Sequence, residues 1–419
     1  MQEQSAAAGS RLDRWHGHYA ERARGMVASE VRALFAVASR PEIVSLAGGM
    51  PFVSALPMEQ IGELMADLIQ RRGAEALQYG SAQGDPGLRE QICRVMALEG
   101  IEAHPDNVVV TVGSQQALDL LARIVLDPGD TVLTEAPTYV TAIATFAAYQ
   151  ARLAQVPMDN DGLIPEALAE TLVRLAAEGR RVKLLYTVPT FQNPAGVTLS
   201  RSRRQRVLEI CRRADVLVVE DNPYGLLALD GEPVRALRAD APDDVVYLGS
   251  FSKTLAPGLR VGWALAPPAV RDRLVLAAES AMLSHSAFAQ LAVERYLSTQ
   301  PWAEQLKVFR ELYRERRDAL LSALAANMPT GTTWTQPEGG FFVWVTLPPG
   351  LDAKAMLPRA IGARVAYVPG TGFYADGGGR ANMRLSFCYP TPAQISDGVS
   401  RLAGVMQSEL ELRAAFGTQ

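Results

Sequence analysis

One stretch of this chain gathers groups that can do chemistry: SFSKTLAPGLRVGW, Ser250 to Trp263. Lys253 comes just after an apolar run, with Ser250 and Ser252 beside it and Arg260 seven positions on. A lysine amine can form a Schiff base with a carbonyl compound and later shuttle a proton. Hydroxyls and a guanidinium can hold a phosphate. A lone lysine in a polar turn is usually plain surface, but the full string argues for function. Three other places carry similar weight. Asp221 ends the run VLVVED, although a carboxylate there could merely cap the turn DNPYG. Gly113-Ser114-Gln115 follows NVVVTV and opens a helical pattern, where backbone N–H groups suit an anion; Ser114 equally suits an N-cap. Arg384 interrupts the apolar stretch NMRLSF and needs an anionic partner or, on an edge strand, an exit to solvent.

The elements that must position these residues are legible. NVVVTV (107–112), DTVLTE, VKLLYTV, VLVVED, VVYLGS and VGWALA are near-continuous Val/Leu runs bounded by Gly, Pro or Asp. Such runs suit strands buried on both faces, and the helical intervals between them suit parallel crossovers. An α/β sheet with helices on both sides is predicted. Ligands of open α/β sheets sit outside the carboxyl ends of the strands, where Ser114, Asp221 and Ser250 to Lys253 all fall. Beyond about Gln300 the pattern changes to a long charged helix, then GGFFVWVTL, an Ala-rich helix, a glycine-rich loop and MRLSF, which together suggest a second, α+β unit.

At 419 residues the chain suits one large domain and a smaller one. A net charge of −4 gives no general attraction to nucleic acid or to an anionic membrane. No signal-peptide core and no long apolar span is evident, and three scattered cysteines suggest reduced thiols; a cytoplasmic protein is expected. With four histidines, no metal site is expected, and His16 and His18 read as surface residues.

The lysine string resembles the pyridoxal-phosphate signature SxSKxxxPGxRxG of fold-type-I aminotransferases. With SLAGGMP (45–51), YGSAQGDPGLRE (79–90), PTFQNPAGVTLS (189–200) and EDNPYG (220–225), the chain resembles the 2-aminoadipate and kynurenine aminotransferase branch from about Ser45 to Pro390. The resemblance implies a large domain (46–300) with a mostly parallel seven-stranded sheet and a smaller α+β domain (301–419). Residues 1–45 would pack on the small domain and the active site. It implies pyridoxal 5′-phosphate (PLP) as a Schiff base on Lys253, with Asp221 facing the pyridine nitrogen and Tyr224 and Asn193 near the 3′-oxygen. Ser114, Gln115, Ser250, Ser252 and Arg260 would form the phosphate cup, and Tyr139 would stack on the ring. Arg384 would clamp the substrate α-carboxylate, with Gly48 and Asn193 nearby. Tyr79 would reach a partner subunit's phosphate, which implies a homodimer. The implied reaction is ping-pong transfer of an amino group between an L-amino acid and a 2-oxo acid.

Other readings stay open. The same lysine, aspartate and arginine support lyase, cyclase, decarboxylase or oxidase chemistry. Some regulators fuse a winged helix to such a domain, but only about 45 residues precede SLAGG. The basic stretch SRSRRQRVLEICRRA reads as a crossover helix capped by Ser200 rather than a nucleic-acid patch. GTGFYADGGG lacks the strand and helix spacing of a dinucleotide loop. Substrate selectivity is expected from about Trp15 to Arg40 and nearby loops.

Overall fold

The computed structural model describes residues 14–24, 26, 34 and 40–416. Half of the segment from Trp15 to Arg40, including most of 25–39, therefore lies outside the described residues. The apolar runs form one sheet of β1 (Val108–Thr111), β2 (Thr131–Ala136), β3 (Arg152–Asp159), β4 (Gly162–Leu163), β5 (Val182–Thr187), β6 (Leu217–Asp221), β7 (Val245–Ser250) and β8 (Gly262–Leu265). Their order is β1-β8-β7-β6-β5-β2-β3-β4. Strands β3, β2, β5, β6 and β7 are parallel; β8 is antiparallel to β7 and β1, and β4 turns back on β3. The sheet thus has eight strands rather than seven. The extra one is the two-residue return after β3, admitted because Gly162 (φ +87°) lies so close to Leu199 that a Cβ would stand 2.7 Å from its backbone.

Alternation along each strand feeds two apolar layers. Leu184 and Tyr186 of β5 pack with the helix Gly113–Val125, whereas Leu185 packs with the helices Pro165–Ala177 and Arg201–Arg213. Burial of these faces, worth about 25 cal/mol per Å² of apolar area, fixes the register. The basic stretch is indeed a crossover helix, and Val207, Leu208 and Ile210 face the core. Ser200 takes the N-cap position but its side chain makes no capping bond. Arg204 is buried there instead and donates to the carbonyls of Pro189, Leu199 and Arg235 and to the Thr190 hydroxyl.

A second, antiparallel sheet joins β9 (Thr333–Trp334), β10 (Phe342–Thr346), β11 (Val368–Pro369) and β12 (Asn382–Ser386) in the order β9-β10-β12-β11. Strand β12 is central, so Arg384, opposite Trp344 and Val368, has no edge from which to reach solvent. Val44–Ser45 pairs in parallel with Val365–Ala366, and Ser386 N–H donates to the Leu46 carbonyl at 2.7 Å. These pairings deliver residues 46–50 to the carboxyl edge of the large sheet. No described helix is long and apolar enough to cross a membrane.

Candidate active site

Strand β1 points the same way as the parallel strands, because both it and β7 oppose β8. Five chain segments therefore leave one edge of the sheet: those after β1, β2, β5, β6 and β7. They line a cavity of about 550 Å³ with Ser114 and Gln115, Tyr139, Asn193, Asp221 and Tyr224, and Ser250, Ser252, Lys253 and Arg260. Arg384 and Phe342 close it from the second sheet, and Gly49 and Met50 from the N-terminal segment. The size suits a cofactor with a small substrate.

Asp221 is 4% exposed and ends β6. One carboxylate oxygen, Oδ2, accepts from the Tyr186 hydroxyl at 2.7 Å; the other, Oδ1, has no partner. Burial pushes Asp221 up to about 6, opposed by its bonds from Tyr186 and Ser114. Ser114 is thus not the N-cap: the helix starts at Gly113 after Val112.

Lys253 donates from Nζ to the Gly49 carbonyl at 2.9 Å. The residue as a whole is half-buried, but its amine end is enclosed, and burial pulls the amine down to about 8, with Arg384 and Arg260 adding to the fall. Arg384 donates to Asn193 Oδ1 and to the Ala47 carbonyl, both at 2.8 Å, and lies 4.1 Å over the Phe342 ring. Its Nε has no partner, and among the described residues no carboxylate pairs with it. Burial lowers it to about 10, the cost of a cation without a counter-ion.

The other end of the cavity is built for an anion. The Ser250 hydroxyl donates to Ser252 Oγ at 2.8 Å, and Arg260 Nη1 to the same Ser252 oxygen at 3.4 Å. Arg260 has left-handed backbone (φ +52°) and lies across the start of the helix Gly113–Val125, donating to the Val112 carbonyl at 3.0 Å. Only glycine permits this approach: a Cβ on Gly113 would stand 2.6 Å from Arg260 Nη2, and one on Gly262 would stand 2.5 Å from the Gly113 backbone. Gln115 bonds Thr145 through Nε2 and leaves Oε1 without a partner.

Two expected residues lie elsewhere. Tyr79 is 77% exposed and lines a separate cleft with Gln78, Ser284 and His285. Gly48 turns its carbonyl to the Cys388 thiol, and the cavity wall is its neighbour Gly49. Sequence reasoning missed Tyr186, Met50, Val140 and Phe342. A tyrosine following two leucines near the end of a buried strand was the one available signal for Tyr186.

Residues 44–402 match the family model described as aminotransferase class I and II. The chain belongs to the class I and II aminotransferases. It is 42% identical to aromatic-amino-acid aminotransferase 1 of Thermococcus litoralis over 94% of this chain and 95% of that one. Its fold matches the crystal structure of a Pyrococcus horikoshii kynurenine aminotransferase in complex with PMP, with a TM-score of 0.91, 42% identity, and coverage of 96% of this chain and 100% of that one. It also matches an alpha-aminoadipate aminotransferase of Thermus thermophilus complexed with N-(5'-phosphopyridoxyl)-L-leucine, with a TM-score of 0.88, 36% identity, and coverage of 95% and 99%. This aminotransferase has the expected α/β, fold-type-I architecture.

Proposed function

We propose that the cavity binds PLP on Lys253 and transaminates L-amino acids with an aromatic or large apolar side chain. The observation that carries this is the pairing of unmet needs in one cavity: a buried carboxylate oxygen without a donor and a buried guanidinium without an anion. PLP fits both ends. Asp221 Oδ1 can hold the proton of the pyridine nitrogen, and Ser250, Ser252, Arg260 and the N–H groups at Ser114 and Gln115 can hold the phosphate. Asn193 and Tyr224, which line the cavity, would bond the ring oxygen, and Tyr139 would cover the ring.

Bound PLP supplies a ring that absorbs negative charge developing at the substrate α-carbon. Arg384, steadied by Asn193 and stacked on Phe342, takes the substrate α-carboxylate in a two-point contact and so aims the Cα–H bond. Lys253, its amine lowered to about 8, would take that proton and hand it back on the far side of the substrate nitrogen. The proton move is reversible, so a 2-oxo acid restores the starting enzyme in a ping-pong cycle. Met50, Val140 and Phe342 form the apolar wall. Among the described residues the cations of the cavity are Lys253, Arg260 and Arg384, each with another role, which favours an apolar over an acidic side chain.

We further infer that residues 46–300 act as the PLP-binding domain, 301–419 as the smaller one, and that the enzyme works in the cytoplasm as a homodimer. The exposed Leu77 and Tyr79, which line one cleft with Phe288, support a second copy, with Tyr79 reaching the neighbouring phosphate. The test is a single-turnover titration of the PLP enzyme with a panel of amino acids, with mass spectrometry of the products. Conversion to pyridoxamine phosphate and a 2-oxo acid, fastest for aromatic substrates, is expected. A product that has lost carbon dioxide or its side chain would refute transamination.

A further inference from the structure

We propose that Tyr186 is the positioning residue of Asp221: its phenol holds one carboxylate oxygen and leaves the other aimed at the PLP ring nitrogen. The inference rests on the assignment of Asp221 to that nitrogen.

Tyr186 is fully buried, in a strand whose neighbours Leu184 and Leu185 are aliphatic. A buried phenol costs stability unless its hydroxyl is bonded, so the position needs a reason. Register supplies it. Tyr186 pairs with Val219 across β5 and β6, and Asp221 lies two residues beyond Val219, on the same face of the sheet. The phenol therefore reaches the carboxylate, with its oxygen 2.7 Å from Oδ2. The ring is fixed edge-on against Phe146, with centroids 5.7 Å apart, so the hydroxyl cannot swing away without repacking the core.

The electrostatic setting makes this bond matter. Around Asp221 the other titratable side chains are phenols, Tyr139, Tyr224 and Tyr247, all held neutral by burial, as is Tyr186. The cations of the cavity, Lys253, Arg260 and Arg384, make no ion pair with the carboxylate. The charge of Asp221 is therefore sustained above all by a neutral donor, the Tyr186 hydroxyl. A neutral phenol can only donate to the carboxylate, so it favours the ionised form. That form alone can accept the proton of the ring nitrogen. Tyr186 does not line the cavity and acts only through Asp221.

The test is PLP affinity of the apoenzyme, measured by equilibrium dialysis from about pH 5 to 9, for wild type, Y186F, D221N and the double variant. Affinity is expected to fall on the acid side as Asp221 takes up a proton. Y186F should move that limb up by about one pH unit, about tenfold weaker binding at the acid end, and leave the alkaline plateau within about twofold. The phosphate's own ionisation enters both curves equally and cancels. In the D221N background Y186F should change nothing further. Should Y186F fail to fold, a fluorinated tyrosine at 186, a stronger donor, should move the limb down. An unmoved limb, or a uniform loss at every pH, overturns the proposal and leaves Asp221 in place. A wild-type pH profile for D221N removes Asp221 from the ring and the proposal with it.

Discussion

Two buried polar regions meet at the end of β6, and they are finished differently. On one side, Glu99 accepts from Tyr247 and Asn222, each at 2.7 Å, and Glu220 accepts the N–H groups of Leu237 and Arg238. Each of these carboxylate oxygens is matched by a donor. On the other side, Asp221, Gln115 and Arg384 each keep one buried atom without a partner. Adjacent residues of one strand thus face two regimes, a closed network that holds the turn and an open one that waits for a ligand. Buried polar atoms are normally bonded, so the open set marks where binding groups from outside must fit.

The comparison is tested hardest at Lys253. K253A removes the group proposed to move the proton while leaving the closed network untouched. Turnover should fall by about 10⁴-fold or more with thermal stability nearly unchanged. A variant that unfolds, or one that still turns over near the wild-type rate, would remove the distinction. R384K comes next. Lysine keeps the charge but loses the two-point contact and the stacking on Phe342, so kcat/KM should fall by about 10²-fold, mostly through KM. An unchanged KM would mean that the substrate carboxylate binds elsewhere.

Glu99 tests the closed side. E99A strands the Asn222 amide and the Tyr247 hydroxyl and should cost about 3 kcal/mol of stability, readable in urea melts. Its effect on turnover should be only severalfold, passed through the turn where Asn222 Oδ1 also holds Gly225 N–H. Burial pushes Glu99 up to about 8, opposed by the bonds from Tyr247 and Asn222. A raised carboxyl favours the folded state while protonated. Its contribution is full below the ordinary value of about 4.5 and is lost as pH rises through about 8. E99Q cannot ionise, so its melting temperature relative to wild type should improve steadily from about pH 5 to pH 8. A constant difference across that range would show Glu99 to be ionised throughout.

How far these regions were legible in the sequence follows from the range of each interaction. Strands β5 to β8 stood out because burial on both faces selects continuous Val and Leu. Strand β3 did not, because its buried residues alternate with exposed ones and Pro157 interrupts it. Lys253, Asp221 and Arg384 were visible as chemistry at strand ends or within an apolar strand. Their partners were not: Tyr186 meets Asp221 across 35 positions, and Asn193 meets Arg384 across 191. Ser114 looked like a cap because it follows a strand and a glycine, whereas the helix already starts at Gly113. Tyr79 has no place in this cavity within one chain, so its expected role depends on a second copy.

The smallest expected effect sharpens the boundary between wall and machinery. Gly49 lends its carbonyl to Lys253, and a Cβ there would stand 2.9 Å from the ring tip of Phe342. Its φ lies outside the left-handed range, so alanine is opposed by packing alone. Phe342 can yield only partly, because it packs edge-on against Tyr224 and carries the Arg384 guanidinium. G49A should therefore act through the ring on Arg384, raising KM about fivefold with kcat within twofold. If kcat falls instead at constant KM, Gly49 matters as the acceptor that holds the Lys253 amine. The segment 46–50 would then belong with the proton-moving groups rather than with the substrate wall.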